Sequence, residues 1–276
     1  VLDNSNGQAF TEKPFFNKTF IKANKIKSID GTYNYKKAGQ AMIPTKYHSV
    51  YQFDDEGNLS ATFETRTDDG TKDTTWNKYE YDNSGRLAVH KRGDKNGMLA
   101  VHYFFDEKNR IIKEEYWKES LDSLNRAQKP ILQNTETMKY DEYTLQQKKT
   151  VFNSYDLPYN IEYKYFNIDG YLSEREDRIL MTSKMNKYTY FYDEHGFIES
   201  IKTFKNNDKL PHEELKFSYD AFGNVTQKNL YINGEYVTET AILYNSKTNL
   251  MSSVIIRDVK SSYIMAIRFL AYTYYE

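Results

Sequence analysis

The sequence predicts an all-β chain of repeated antiparallel β-hairpins, forming a long twisted or curled meander sheet. Three observations predict it. An aromatic–Asp/Asn–x–x–Gly/Asn–x–aliphatic motif recurs at a near-constant period. Short runs between the motifs alternate polar and apolar residues. The aromatics are unusually numerous, with 26 Tyr and 16 Phe in 276 residues, and such rings suit strands that bury a ring body and leave a hydroxyl wet.

The motifs begin at Phe53 (FDDEGNL), Tyr81 (YDNSGRL), Phe105 (FDEKNRI), Tyr140 (YDEYTL), Phe166 (FNIDGYL), Tyr192 (YDEHGFI), Tyr219 (YDAFGNV) and Tyr244 (YNSKTNL), spaced 28, 24, 35, 26, 26, 27 and 25 residues apart. Self-similarity of this kind marks a repeated supersecondary unit. In each unit the aromatic ends one strand and the aliphatic begins the next. The acid between them accepts backbone N–H groups in an Asx-type turn, and the glycine supplies a positive φ. Gly85, Gly196 and Gly223 are expected at positive φ, and His195 at a solvent-exposed tip. Asn109 replaces glycine where asparagine is the next most tolerant residue. In YNSKTNL Thr248 stands where glycine would be, a poor choice unless Asn249 takes the strained position. YDEYTL is one residue short and requires a different turn. A second class of turn (DDGTKD, DKNG, NND, NGE) falls between the motifs, so each period holds two strands. About sixteen strands follow, with less than about a tenth of the chain helical. The pattern leaves open whether the sheet is open or closed into a barrel.

Flanking elements complete the order. Residues 1–30 are polar and Lys-rich, and VLDNSNGQ is expected to be disordered or a tether. Residues 31–276 form a single hairpin-repeat domain, in which GTYNYKK caps the first hairpin. The longest period contains an insertion at 118–134, a short helix or a long loop around Leu121 and Leu124 that stops at Pro130. The C-terminal SSYIMAIRFLAYTYYE is the most apolar stretch and is expected to be a buried closing strand or strand pair.

The stretches YEYDNSGRL, FYDEHGFI and SYDAFGNV resemble the YD repeat of Rhs proteins and teneurins, and the chain is similar to short exported Bacteroidetes proteins of unknown function with degenerate repeats of this kind. The resemblance covers residues 51–250. It implies β-hairpin repeats, an exported or cell-surface setting, and carbohydrate binding or adhesion. It supplies no catalytic residues, and the chain is too short for a toxin-enclosing shell.

The net charge is −1, which gives no electrostatic argument for nucleic acid. Without cysteine there are no disulfides and no thiolate chemistry. No apolar run is long enough for a transmembrane helix. The chain begins VLDNSNGQAF, without Met, as a chain trimmed after signal cleavage does; an exported location (periplasmic, outer-membrane-tethered or extracellular) is expected.

No nucleophile elbow, zincin, dinucleotide or phosphate-loop motif occurs; no catalytic residue and no cofactor are predicted. The metal candidate is the duplicated LAVH, which places His90 and His102 on one hairpin; with Tyr81 and Leu87 on the inner face, both point outward, yet no third ligand is evident. The acidic turns lack EF-hand spacing. Carboxylate pairs for glycoside hydrolysis depend on distances that a sequence does not give. In IEYKYFN the aromatic parity slips: either a bulge at 165–166 restores it, or Tyr163 and Tyr165 face outward as a ligand-binding platform. The function read from this is an exported or cell-surface, non-catalytic repeat protein acting as a binding or structural module. The alternatives are a carbohydrate-binding protein with an aromatic platform, or a hydrolase. A glycan or a cell-surface protein is the expected partner.

Overall fold

The computed structural model describes residues 1–11, 13–65, 74–94, 97–120, 128–182 and 184–276. A six-residue helix, α1 (Lys18–Ala23), precedes eighteen strands. These are β1 (Ile26–Lys36), β2 (Ile43–Phe53), β3 (Leu59–Thr65), β4 (Thr75–Tyr81), β5 (Leu87–Asp94), β6 (Gly97–Phe105), β7 (Ile111–Glu119), β8 (Ile131–Tyr143) and β9 (Gln146–Phe152). They continue with β10 (Pro158–Phe166), β11 (Leu172–Ile179), β12 (Met185–Tyr192), β13 (Ile198–Lys205), β14 (Glu213–Tyr219), β15 (Val225–Ile232), β16 (Glu235–Tyr244), β17 (Met251–Asp258) and β18 (Ile264–Tyr274). All belong to one sheet of antiparallel hairpins.

The expected open or curled meander is corrected in one respect. β1 pairs antiparallel with β2 on one side and with β18 on the other, so the sheet is closed as a β-barrel. The two terminal strands satisfy each other's backbone groups, which an open sheet leaves exposed at both edges. β1 carries GTYNYKK and β18 the apolar C-terminal stretch. Phe269, Ala266 and Ile267 of β18 are buried, as that stretch predicted.

The motif turns share one geometry. Asp82 Oδ1 accepts from the Ser84 and Arg86 N–H groups at 2.9 and 3.0 Å. Oδ2 takes Arg86 Nε at 2.7 Å, and Gly85, at φ +75°, donates to the Asp82 carbonyl. Gly196 and Gly223 also have positive φ, and Asn109 takes the glycine position at +60°; the YNSKTNL turn is one residue longer, and Asn249, one place past the glycine position, carries the positive φ at +56°. At YDEYTL the hairpin uses a different turn, as expected, but the place of the motif is corrected: Tyr140 and Asp141 lie inside β8, and the chain turns at 144–145 with Leu145 at φ +59°. One motif turn went unnoticed in the sequence. Residues 152–158 (FNSYDLP) use Asn153 as the acceptor and Asp156, at φ +55°, in place of glycine.

Six of the motif turns are followed by a bulge. Tyr81 faces Leu87 and Glu80 faces Val89, which leaves Ala88 unpaired; Ser60, Ile112, Ser173, Thr226 and Ser252 are skipped in the same way. Next to the bulge the ladder leaves a carbonyl exposed, and a tyrosine from the neighbouring hairpin takes it. Tyr219 donates to the Ile198 carbonyl at 2.7 Å, Tyr244 to Val225 at 2.8 Å and Tyr140 to Ile111 at 2.9 Å. This is a physical reason for tyrosine rather than phenylalanine at these positions.

The chain divides into two compact units: unit 1 comprises 1–74, 191–202 and 211–276, and unit 2 comprises 75–190 and 203–210. In unit 1 the sheet face that carries the motif aromatics is covered by residues 1–23. The segment expected to be disordered or a tether is instead packed: Val1, Leu2 and Ala9 are 4%, 5% and 0% exposed. Its polar groups are matched on arrival, which is why a polar sequence docks here. Asn4 accepts from Ala9 N and donates to Tyr219 Oη, and Lys228 Nζ donates to the Ala9 carbonyl at 3.0 Å. Asn17 caps α1 by accepting from Phe20 N at 2.9 Å. Ile21 is fully buried, and Phe16 packs edge-on to Phe53 and Tyr51 at 5.0 and 4.9 Å. The largest fully buried side chains of the described residues, Ile21, Ile26, Ile29, Ile198, Val225, Ile242, Met251 and Val254, all belong to this unit.

Candidate functional site

Unit 2 builds the same face from different residues. Directly opposed residues of antiparallel neighbours share a face, and alternate residues along a strand lie on opposite faces. From Tyr79 and Tyr81 the register carries the motif face across β7 to β12 through Glu114, Tyr116, Glu136, Lys149, Glu162, Lys164, Arg175, Asp177, Asn186, Tyr188 and Tyr190. Most of these side chains are charged or amide, on the face that is apolar in unit 1.

The charges on β9, β10 and β11 partly neutralise one another. Lys149 Nζ lies 3.2 Å and Lys164 Nζ 3.7 Å from Glu162 Oε1, and Arg175 lies 3.3 Å from Asp177 Oδ2. Burial alone would raise the Glu162 pKa, but Lys149 and Lys164 outweigh it and hold the carboxyl below its usual value. At Asp177 burial wins over Arg175 and the pKa is raised. The Arg175 guanidinium lies 4.0 Å over the Tyr188 ring, and its Nε is buried without a hydrogen-bond partner among the described residues. Glu114 and Glu136 face each other across β7 and β8. Tyr116 Oη donates to Glu114 at 2.6 Å and reaches Glu136 at 3.3 Å, so this carboxylate pair is bridged by a protein hydroxyl.

A cavity of about 620 Å³ opens on this face at the strand ends. It is lined by Asn160, Asp177, Asn186, Lys184, Lys205 and Asn206 over Ile179 and Met185. Asn206, at φ +52°, holds one wall by exchanging hydrogen bonds with the Met185 backbone. The amides of Asn160 and Asn186 and the ammonium groups of Lys184 and Lys205 bond to no group among the described residues. The sequence does carry a signal for this site. In SEREDRI (173–179) both parities are charged, so neither face of β11 is an apolar core face.

The residues singled out in the sequence fall elsewhere. His90 and His102 do not meet. The bulge at Ala88 turns His90 onto the Tyr79 face, and the register His90↔Val101, Val89↔His102 puts His102 on the other. His90 stacks on Tyr79 at 4.9 Å and bonds Asn77 Oδ1 at 3.0 Å, while His102 packs against Trp117. Among the described residues no group of three His, Cys, Asp or Glu can hold a metal. Tyr163 and Tyr165 lie on the face opposite the motif aromatics, opposed to Glu176 and Glu174. Of the two alternatives for IEYKYFN the second holds: the bulge beside 165–166 lies in the partner strand at Ser173 and does not restore the parity, so the tyrosines face away from the motif aromatics. Their rings stack at 6.4 Å, with Arg178 5.1 Å over Tyr163. Of the 118–134 insertion, 121–127 lie outside the described residues; 118–119 belong to β7 and 131–134 to β8. His195 sits exposed at its turn tip, as expected.

No family model and no curated protein matches the chain. Among solved structures it is similar to a porin-like protein from Bacteroides uniformis (9% identity, 91% of this chain and 98% of that one, TM-score 0.41). It is also similar to a porin-like protein from Bacteroides vulgatus (10% identity, 72% and 93%, TM-score 0.30). A third is TcdB2-TccC3 without its hypervariable C-terminal region (11% identity, 84% of this chain but 15% of that one, TM-score 0.28). At these identities and TM-scores the likenesses carry no argument about this chain.

Proposed function

We propose that this chain is an exported, non-catalytic binding protein that holds a hydroxyl-rich ligand, a glycan, on the polar motif face of unit 2. One observation carries the reading: that face combines a cavity of about 620 Å³ with amide and ammonium groups that have no described protein partner. Where unit 1 places a segment of its own chain over the face, the described part of unit 2 offers solvated polar groups. Asn and Asp side chains present paired donors and acceptors that suit vicinal hydroxyls, and Ile179 and Met185 offer an apolar floor for a ring's C–H face.

The opposite sheet face supports a water-exposed barrel. It carries ion pairs along the strands, including Lys91–Glu119 at 3.3 Å, Lys113–Glu115 at 2.9 Å, Lys187–Glu174 at 3.0 Å and Arg257–Glu239 at 2.5 Å. A barrel that spans a bilayer instead turns an apolar band outward, and charges there are costly. The likeness of the motif turns to YD repeats supports an exported or surface setting.

The test is a glycan array and a hydrolase panel on the purified protein, repeated with Asn160→Ala/Asn186→Ala and with Tyr163→Ala/Tyr165→Ala. Binding without turnover, weakened about tenfold or more by the asparagine pair, is expected, because each buried polar group left unpaired costs about 1–3 kcal/mol. Binding lost only in the tyrosine pair would move the site to the opposite face. Turnover would reject the non-catalytic reading.

A further inference from the structure

We infer that the ligand of this cavity is anionic: an acidic saccharide of the uronate type, whose carboxylate is held by Lys184 and Lys205. The inference rests on the binding role proposed above and goes further, since it fixes the charge of the ligand and the side chains that select it.

The argument is electrostatic and local. Of the charged side chains that line the cavity, Lys184 and Lys205 stand against one carboxylate, Asp177, while Lys149, Lys164, Arg175 and Glu162 lie farther along the same face. The excess is not spread evenly. Lys149 and Lys164 both lie within 4 Å of Glu162, and Arg175 is paired with Asp177. Lys184 and Lys205, at the cavity wall, form no ion pair with a described group. Two cations that wall a half-enclosed polar cavity raise the local concentration of anions and lower the cost of desolvating one. A lysine ammonium with three rotatable donors suits a carboxylate whose orientation is set by the sugar ring rather than by the protein. The ring hydroxyls then fall to Asn160 and Asn186, and Asp177 accepts from one of them. A neutral saccharide uses the amides but leaves both ammonium groups without an anion. An inorganic anion uses the ammonium groups but leaves the amides unpaired.

The experiment uses the full chain and two matched probes: an oligogalacturonate, and the same oligosaccharide with its carboxyls reduced to the neutral galactan form. Inorganic phosphate is the third arm. The expected result from calorimetry is that the acidic oligosaccharide binds at least about tenfold more tightly than its neutral form and that phosphate binds weakly or not at all. The affinity should fall several-fold between low and about 0.5 M salt. Lys184→Met/Lys205→Met should remove the preference while retaining the weaker neutral binding. Lys209→Met, which removes a neighbouring exposed charge outside the cavity, should leave it within about twofold, and Lys184→Arg/Lys205→Arg should restore most of it. Equal binding of the two oligosaccharides overturns the inference and leaves the binding role intact. Binding of phosphate alone overturns it in favour of a simple anion site. If neither oligosaccharide binds the folded protein, both the inference and the glycan reading fall.

Discussion

On the motif face unit 1 buries Ile201, Ile242 and Val254, with the polar Thr62 and Lys228 among its strands, whereas unit 2 places His90, Glu114 and Arg175 there. In both units the turns use an Asp or Asn acceptor and a residue at positive φ, and a bulge follows. What changes is what the face meets. In unit 1 residues 1–23 cover it, and aliphatic side chains profit from burial at about 1.5–3 kcal/mol each. In unit 2 the face carries paired charges and a cavity, which an apolar core would not tolerate. The repeat therefore specifies hairpins near the turn, and the residues farther along each strand are free to make that hairpin either core or binding surface.

The comparison breaks most visibly at Ile21. This side chain is fully buried under unit 1, so Ile21→Ala should cost about 2–5 kcal/mol through lost transfer energy and the cavity left behind. Val101→Ala, on the motif face of β6 and only part-buried, should cost about 1 kcal/mol or less. Urea midpoints of the two variants, measured side by side, check this. Equal losses would mean that residues 1–23 contribute no more to stability than an ordinary strand position in unit 2.

A pair of glycines sharpens the same contrast with the turn held constant. Gly57 and Gly170 occupy the same turn position at φ +83° and +84°. A Cβ on Gly57 would meet the Lys18 carbonyl oxygen of α1 at 2.5 Å and Lys22 N at 2.9 Å, whereas one on Gly170 meets nothing within 4 Å. Gly170→Ala should therefore show the left-handed backbone cost alone, about 1–2 kcal/mol. Gly57→Ala should cost more, because α1 backbone must move away as well. Thermal melts resolve the difference, and a Gly57→Ala penalty no larger than that of Gly170→Ala would argue against the docking of α1 on this turn.

The turns were legible because their chemistry is local: an acid, then a residue tolerant of positive φ, at fixed offset. FNSYDLP escaped notice because Asn153 and Asp156 play those parts without glycine, and Tyr140–Asp141 misled because the strand runs three residues further before it turns. The shared face assigned to His90 and His102 failed for a different reason. A bulge after the turn reverses the parity of everything beyond it, and Ala88 looks like any other strand residue. Closure of the sheet depends on β1 meeting β18, a pairing between residues more than two hundred positions apart that no local pattern encodes. The docking of Val1 to Ala9 was hidden by polar residues such as Asn4 whose partners lie just as far away. The polar face was in part visible, since Glu162 and Lys164 alternate with Tyr163 and Tyr165, but only the register tells which set faces the cavity.

The smallest effects distinguish two kinds of carboxylate within unit 2. Asp82 and Asp106, in motif turns, have pKa values lowered by hydrogen bonds from Arg86 and Arg110. Their contribution to stability is present above the unfolded-state value near 4 and is lost as the pH falls through the folded value. Asp177, on the polar face, has its pKa raised by burial against the opposing pull of Arg175. Its sign is reversed: the contribution is present below the unfolded value and is lost as the pH rises through the folded one. At neutral pH the fold bears an ionised Asp177 at some cost. Asp82→Asn should then lower the melting temperature slightly at pH 7, with the loss shrinking as the pH falls through the folded value. Asp177→Asn should raise it at pH 7, with the gain shrinking as the wild-type carboxyl protonates. The same substitution replaces one acceptor oxygen of the cavity by an amide donor and removes a negative charge from its lining, so it should tighten binding of the acidic oligosaccharide relative to its neutral form while it strengthens the fold. A variant that loses stability, with the preference between the two oligosaccharides unchanged, would mean that Asp177 is retained to anchor Arg175, not to meet a ligand.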